Sequence, residues 1–131
     1  MRFLTTIVLM VAAGMASADT SKVKSVIQNQ IAAFGVNDFD RAFQYASPSI
    51  QGLFGSPDRF EVMVKEGYPM VWQAEAVQFL DLRVISGRLW QKVAVRDADG
   101  VVHLLDYQMV TVDGVWRINA VQKLPQAGAG A

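Results

Sequence analysis

The stretch Met109-Val110-Thr111-Val112-Asp113-Gly114-Val115-Trp116-Arg117-Ile118 decides how this 131-residue chain folds. Strand-forming residues flank Asp113-Gly114, and a two-residue Asp-Gly loop is typical of a type I′ β-hairpin turn. The turn therefore predicts the register of the two strands around it. The predicted cross-strand pairs are Val112 with Val115, Thr111 with Trp116, Met109 with Ile118, and Tyr107 with Ala120.

This register gives the hairpin two different faces, because side chains alternate along a strand. The bulkier and less charged face carries His103, Leu105, Tyr107, Met109, Thr111, Trp116, Ile118 and Ala120. The other face carries Val102, Leu104, Asp106, Gln108, Val110, Arg117, Asn119 and Val121. We expect the first face to lie under helices and the second to point outward.

Four strands are predicted in the second half of the chain, over residues 77–85, 89–96, 101–112 and 115–122, since β-branched residues alternate there between turn signals. The loop between the second and third strands allows two registers. A three-residue loop at 98–100, with Gly100 left-handed, places Leu89, Gln91, Val93 and Val95 on the inner face. A two- or four-residue loop places Trp90, Lys92, Ala94 and Arg96 there instead. Burying two cations is costly, so the three-residue loop is preferred and Trp90 then lies outside.

The first half of the chain has helical periodicity. Apolar residues recur at helical spacing from Val23 to Phe34, which predicts a helix that Thr20 or Ser21 caps and Gly35 ends. Asp38 can cap a second helix, which Ser47-Pro48 stops. The remaining predictions are a short helical turn over 49–55 and a third helix that begins at Ser56-Pro57 and ends at Gly67-Tyr68-Pro69.

Helices followed by a strand meander predict an α+β fold, with the helices packed on one face of a curved antiparallel sheet of four or more strands. Residues 1–18 read as a signal peptide, with a positive charge, an apolar run and a small-residue ending at Ala16-Ser17-Ala18. We therefore expect one domain over 19–124, a flexible tail over 125–131, and a periplasmic or secreted protein. The apolar run is too short to span a bilayer, so no membrane association is expected after cleavage.

Composition excludes several functions. The chain has 12 Lys and Arg against 12 Asp and Glu, which gives no electrostatic reason to expect a nucleic-acid partner. Cysteine is absent, so disulfides, thiolate catalysis and thiolate metal sites are excluded. With a single histidine, a zinc site is not expected either, and no motif predicts a cofactor.

Several motifs together resemble one family. They are Ile50-Gln51, Phe54-Gly55-Ser56, Phe60 with Met63-Val64, Tyr68-Pro69, Asp99-Gly100, Tyr107 and Asp113-Gly114-Val115-Trp116-Arg117-Ile118. The chain thereby resembles small exported bacterial proteins of the domain of unknown function 4864 family, within the nuclear transport factor 2-like (SnoaL-like) superfamily. The resemblance implies the cystatin-like cone fold of that superfamily and assigns no activity. The superfamily includes isomerases, dehydratases and epoxide hydrolases as well as non-catalytic binding and dimerising modules, so the fold alone decides no chemistry.

The candidate ligand-binding residues are Tyr68, Gln91, Tyr107, Met109 and Trp116. The candidate catalytic residues are Asp81, His103 and Tyr107. His103 and Tyr107 lie about 13 Å apart along one strand, which is too far for a direct hydrogen bond. Asp81 could point inward with Val77 and Phe79, or form a solvated ion pair with Arg83.

We expect a non-catalytic exported domain that binds a small apolar ligand or a protein partner. The alternative is a pocket enzyme, an isomerase, dehydratase or hydrolase that uses Asp81, Tyr107 or His103. The outer face of the sheet could also pair two copies of the chain, which makes a homodimer a further hypothesis.

Overall fold

The computed structural model describes residues 11–125, with side chains from Asp19 onward. The helices are α1 (Val11–Gly35), α2 (Phe39–Gln44), α3 (Pro48–Phe54), α4 (Pro57–Gly67) and α5 (Pro69–Trp72). The strands are β1 (Ala76–Ile85), β2 (Arg88–Arg96), β3 (Val102–Val112) and β4 (Val115–Leu124). Residues 1–10 of the predicted signal peptide and 126–131 of the predicted tail lie outside the described residues. Within the described range, no helix combines the length and apolar character needed to cross a membrane.

The caps predicted at Asp38 and Ser56 are confirmed, and Ser47, which was predicted only to stop the second helix, caps the next one. The side chains of Asp38, Ser47 and Ser56 accept hydrogen bonds from the backbone N–H groups of Arg41, Ile50 and Arg59. Proline occupies the first position of both α3 and α4, where its missing N–H is not needed. These caps explain why the segment between α1 and β1 breaks into several short helices instead of one long one.

Two helices differ from the sequence prediction. The described part of the α1 helix spans Val11–Gly35, so Thr20 and Ser21 lie inside it and neither is its N-cap. The preceding alanine-rich run favours helix, and nothing in it stops one. The α5 helix was not predicted; Pro69 starts it immediately after α4 and it buries Met70 and Val71.

The strands form one antiparallel sheet in the order β1-β2-β3-β4, and this sheet is curled and unclosed. Both Asp113 and Gly114 have positive φ angles, which confirms the type I′ turn. The Asp97 N–H donates to the Val101 carbonyl, and Gly100 has a φ of 84°, so the three-residue loop at 98–100 is confirmed as well. The α+β prediction is therefore correct.

The predicted inner face packs against the helices. Val93, Val95, Leu105, Met109 and Ile118 are buried there, against Val23, Ile27 and Phe34 of α1. Burying each such side chain contributes about 1.5–3 kcal/mol, so this face is the main source of stability. At the β4 edge, the Ile118 N–H donates to the Tyr45 carbonyl and the Ser47 N–H to the Ile118 carbonyl, so the α2–α3 connection covers that edge.

Two β-bulges correct the predicted registers. In β4, Gln108 pairs with Ala120 and Met109 with Ile118, so Asn119 is an extra residue and Tyr107 pairs with Val121 rather than Ala120. In β1, the pairing shifts between Phe79 and Leu82. Each bulge inserts a residue without altering the local sequence pattern, so alternation alone could not reveal it.

Candidate functional site

A cavity of about 260 Å³ lies between the helices and the β3–β4 half of the sheet. Helices α1, α3, α4 and α5 contribute to its wall, and so does the connection between α2 and α3. The described residues that line it are Gln30, Phe34, Ala46, Ile50, Leu53, Phe54, Phe60, Met63, Val64, Tyr68, Val71, Tyr107, Ile118, Ala120 and Val121. None of these carries a carboxylate, an imidazole or a cationic group, so the site is apolar.

Phe60 of α4 organises one wall of the cavity. Its ring centroid lies 5.3 Å from that of Phe43 and 5.9 Å from those of Phe34 and Phe54, all in tilted pairs. Tilted aromatic pairs at this separation are favourable beyond the area they bury. The cluster joins α1, α2, α3 and α4, so it ties these helices together at this wall of the cavity.

The α3 helix places the residues at the cavity mouth. Its short span between Ser47 and Gly55 sets Ile50, Leu53 and Phe54 on one side, toward the cavity. Leu53 is 72 % exposed although it lines the cavity, so this part of the lining also meets solvent. Leu53 therefore lies at the mouth of the cavity, where its lining opens to solvent.

The volume of the cavity limits what it could hold. A dry engineered cavity of about 150 Å³ takes up benzene, whereas pockets for drug-sized ligands span about 300–1,000 Å³. A space of about 260 Å³ lies between these limits. It therefore fits a molecule of one or two rings, or a short aliphatic chain.

Three lining side chains bring polar atoms to this apolar space. The Tyr68 hydroxyl donates to the Val121 carbonyl at 2.9 Å, and Gln30 Nε2 donates to the Ala42 carbonyl at 3.1 Å. The Tyr107 hydroxyl makes no hydrogen bond with any residue in the described part of the chain. Burial raises the pKa of the Tyr107 phenol above its ordinary value and the nearby Tyr68 raises that pKa further, so the phenol stays protonated at physiological pH.

The structure brings together two of the five predicted ligand-binding residues. Tyr68 and Tyr107 both line the cavity, whereas Gln91, Met109 and Trp116 do not. Met109 is buried in the core, and Trp116 Nε1 donates to Asp19 Oδ1 at 3.3 Å near the start of the described side chains.

Gln91 holds the bulge of β1 in place. Its Nε2 donates to the carbonyls of Leu80 at 3.0 Å and Lys92 at 2.8 Å, while its Oε1 is buried and has no partner among the described residues. Two carbonyl partners fix which end of the amide faces the bulge, because only the NH₂ end can donate. Gln91 is therefore a backbone anchor in this structure.

The three predicted catalytic residues do not converge. Asp81 is exposed at the β1 bulge, Tyr107 is buried at the cavity, and His103 Nε2 lies 2.8 Å from Asp97 Oδ2 outside the cavity. The Asp97 carboxylate also accepts from the N–H groups of Asp99 and Val101, and the His103 contact is the largest cause of its lowered pKa. Through Asp97, the His103 side chain therefore helps to hold the loop after β2 against β3.

The outer face carries a different ion pair from the one considered for Asp81. Arg83 Nη1 donates to Asp106 Oδ1 at 2.9 Å and Arg83 Nη2 to Asp106 Oδ2 at 2.7 Å. The β1 bulge explains why Arg83 pairs with Asp106 and not with Asp81. Strict alternation would put Arg83 on the same face as Asp81, whereas the bulge places it opposite Trp90 on the outer face. Among the described residues there is no group of three or more acidic or histidine side chains that could hold a metal ion.

The sequence did not identify the residues that α3 places at the cavity mouth or those that β4 contributes to the wall. Ile50, Leu53, Ala120 and Val121 were not predicted as site residues, although all four line the cavity. A signal for α3 was present, since Ile50, Leu53 and Phe54 have the i, i+3, i+4 spacing of one helix face. No such signal existed for Ala120 and Val121, whose positions depend on the β4 bulge.

Comparison with known families gives one match. Residues 16–131 match the family model described as "Domain of unknown function (DUF4864)". No curated protein matches the chain. The match covers α1 from residue 16 onward, the other helices, the sheet and every residue that lines the cavity.

Proposed function

The chain belongs to the DUF4864 family, and on that premise we propose that it is a non-catalytic domain that binds a small apolar molecule in the cavity between its helices and sheet. The observation that carries the proposal is the lining itself. Twelve of the fifteen lining side chains are aliphatic, aromatic hydrocarbon or thioether groups, and the remaining three are neutral.

Burial of apolar surface supplies the affinity for such a ligand. Removing apolar area from water contributes about 25 cal/mol per Å². Side chains around an unfilled apolar space also lack contacts on one side, and a ligand of matching shape restores them. Because the aromatic cluster around Phe60 holds one wall, little of this gain is lost to ordering the site.

The enzymatic alternative has weaker support. General acid–base catalysis requires groups within hydrogen-bond reach of the reacting atoms. Asp81 and His103 lie outside the lining, and Tyr107 remains in it without a carboxylate or imidazole beside it in the lining. Binding without chemistry fits this geometry better.

A neutral fluorescent probe tests the proposal. N-phenyl-naphthylamine brightens in apolar surroundings, and we expect it to bind the protein purified after expression of the full chain. The Val121→Phe variant enlarges a lining side chain that lies opposite Tyr107 on the inner face and should abolish the signal, whereas Val101→Phe makes the same change at an exposed position and should not. Absence of binding by the wild type, or equal binding by Val121→Phe, would contradict the proposal.

The cone fold of the nuclear transport factor 2-like superfamily is proposed on the element order and on the curled sheet that encloses the cavity with its helices. An experimental structure that superposes on members of that superfamily, strand for strand, supports the placement. A different strand connectivity argues against it.

Export is proposed on the signal-like residues 1–18. Among the side chains that the structure describes, the first in the core is Val23, so cleavage after Ala18 removes none of the described core. Asp19 would then begin the helix, where an acidic side chain is favourable. Mass spectrometry of the protein isolated from the periplasm or medium should give a chain that begins at Asp19; retention of residues 1–18 in the cytoplasm would contradict export.

Self-association through the outer sheet face is proposed on its exposed apolar side chains. Ile85, Val102 and Val115 are each about half exposed on that side of the sheet. A second copy could cover them symmetrically. Sedimentation at micromolar concentration should give a dimer mass that Val102→Lys reduces, and a monomer mass for the wild type would overturn the proposal.

A further inference from the structure

We propose that the cavity selects a neutral molecule with a single hydroxyl or carbonyl oxygen, and that Tyr107 is the residue that recognises this oxygen. The inference rests on the proposed function and specifies its ligand. It depends on where the polar atoms of the lining lie and on which of them are already used.

Tyr107 has an unused hydroxyl at the cavity. The side chain is 1 % exposed, lines the cavity, and has no hydrogen bond within the described part of the chain. Among the described residues, Gln91 Oε1 is the one side-chain polar atom that has neither accessible surface nor a hydrogen-bond partner. Because the Tyr107 hydroxyl also has no partner there but is not such an atom, it keeps some accessible surface. Buried polar groups are normally paired, and an unpaired hydroxyl beside a cavity is a donor available to a ligand.

Tyr68 gives the ligand oxygen a second partner. Its hydroxyl hydrogen is donated to the Val121 carbonyl, so only its oxygen lone pairs remain for another group. Tyr107 can therefore donate to a ligand oxygen, and a ligand hydroxyl can donate to Tyr68. A carbonyl satisfies the first contact and a hydroxyl satisfies both.

The lining excludes an ionised ligand. None of its fifteen residues is Lys, Arg, His, Asp or Glu. An anion or cation inside would lose its hydration without gaining an opposite charge, which is far more costly than burying a paired neutral group. A carboxylate of the same carbon skeleton should therefore bind much more weakly than the alcohol.

Three naphthalene compounds of one skeleton separate these contributions. Naphthalene has no polar atom, α-naphthol has one hydroxyl, and α-naphthoate is an anion at neutral pH. We expect the wild type to bind α-naphthol about fivefold to tenfold more tightly than naphthalene, as one neutral hydrogen bond gives. We expect α-naphthoate to bind most weakly of the three.

The Tyr107→Phe variant should lose the preference for α-naphthol and keep the affinity for naphthalene, which also shows that it is folded. Tyr45→Phe removes a hydroxyl that lies outside the lining and should keep the wild-type preference. Equal affinities for naphthalene and α-naphthol, unchanged in Tyr107→Phe, would overturn this inference and leave the apolar site standing. Tightest binding of α-naphthoate would also overturn it, and no binding of any compound would overturn the proposed function as well.

Discussion

Gln91 and Tyr107 are directly opposite each other on β2 and β3, both on the inner face and both almost completely buried, yet they serve different ends. Gln91 uses both amide hydrogens to hold backbone carbonyls at the β1 bulge. Tyr107 lines the cavity, and its hydroxyl has no hydrogen bond to any described residue. Neighbouring buried polar groups can thus divide between fixing the fold and remaining available for binding.

The largest effect should come from giving the Gln91 position a charge. Gln91→Glu directs a carboxylate at two carbonyl oxygens in a buried site, and an uncompensated buried charge costs about 3–5 kcal/mol of unfolding free energy. Burial raises the pKa of the new carboxyl above its unfolded value of about 4.3, so the loss is present at neutral pH and diminishes as the pH falls through the folded-state pKa.

Urea denaturation at neutral and acidic pH measures this loss. Gln78→Glu, at an exposed position of β1, is the matched control and should change the unfolding free energy little. If Gln91→Glu is as stable as the control at neutral pH, Gln91 does not anchor the bulge.

Removing Arg83, on the outer side of the same bulge, should reduce the unfolding free energy by less. Arg83→Met leaves the Asp106 carboxylate, whose side chain is 8 % exposed, without its bidentate partner. Because the Arg83 side chain is 28 % exposed, water can reach the carboxylate that the substitution leaves, so we expect a loss of about 1–3 kcal/mol by urea denaturation, less than for a fully buried charge. Arg88→Met removes an exposed arginine from the same sheet and should have little effect; equal effects of the two variants would show that the Arg83–Asp106 pair contributes nothing.

Tyr107→Phe should change stability in the opposite direction. The hydroxyl it removes is buried and has no hydrogen-bond partner among the described residues, so the unliganded variant should be as stable as the wild type or up to about 1 kcal/mol more stable. Thermal unfolding without ligand measures this difference. A clear loss of stability would mean that the hydroxyl is bonded in the folded protein and not available to a ligand.

The His103–Asp97 contact should have the smallest effect, confined to one pH range. The pKa of Asp97 is lowered chiefly by His103 and next by the Val101 N–H. Because the folded pKa lies below the unfolded value of about 3.9, the ionised carboxylate stabilises the fold above that pH, and this contribution is lost as the pH falls through the folded pKa. His103→Ala should therefore be less stable than the wild type at neutral pH, with a difference that shrinks below about pH 4. A difference independent of pH would contradict the role given to this pair.

Gln91 and Tyr107 also show how much of the structure could be predicted from the sequence. The turn at Asp113-Gly114, the loop at 98–100 and the caps at Asp38, Ser47 and Ser56 act through local chemistry, and all were predictable. The inner face of β2 and β3 followed from these turns. Gln91 and Tyr107 were both placed correctly on that face, but their different roles were not visible.

The bulges and the cavity could not be predicted because each depends on residues distant in the chain. The β1 bulge reverses which face Arg83 occupies and so replaces an expected Asp81 partner with Asp106. The cavity is a space left between α3, α4 and β4, and no single segment encodes a space. Tyr107 was identified as a polar group on the inner face and Tyr68 as a polar group at the end of a helix packed over it, whereas Ala120 was identified only by the structure.

A crystal structure of the protein, purified after expression of the full chain and soaked with α-naphthol, shows directly whether the cavity is the binding site and Tyr107 the recognition residue. We expect the two rings between Phe60 and Ile118, with the naphthol oxygen within hydrogen-bond distance of the Tyr107 hydroxyl. An unoccupied cavity at saturating ligand, or naphthol bound elsewhere on the molecule, would contradict this expectation.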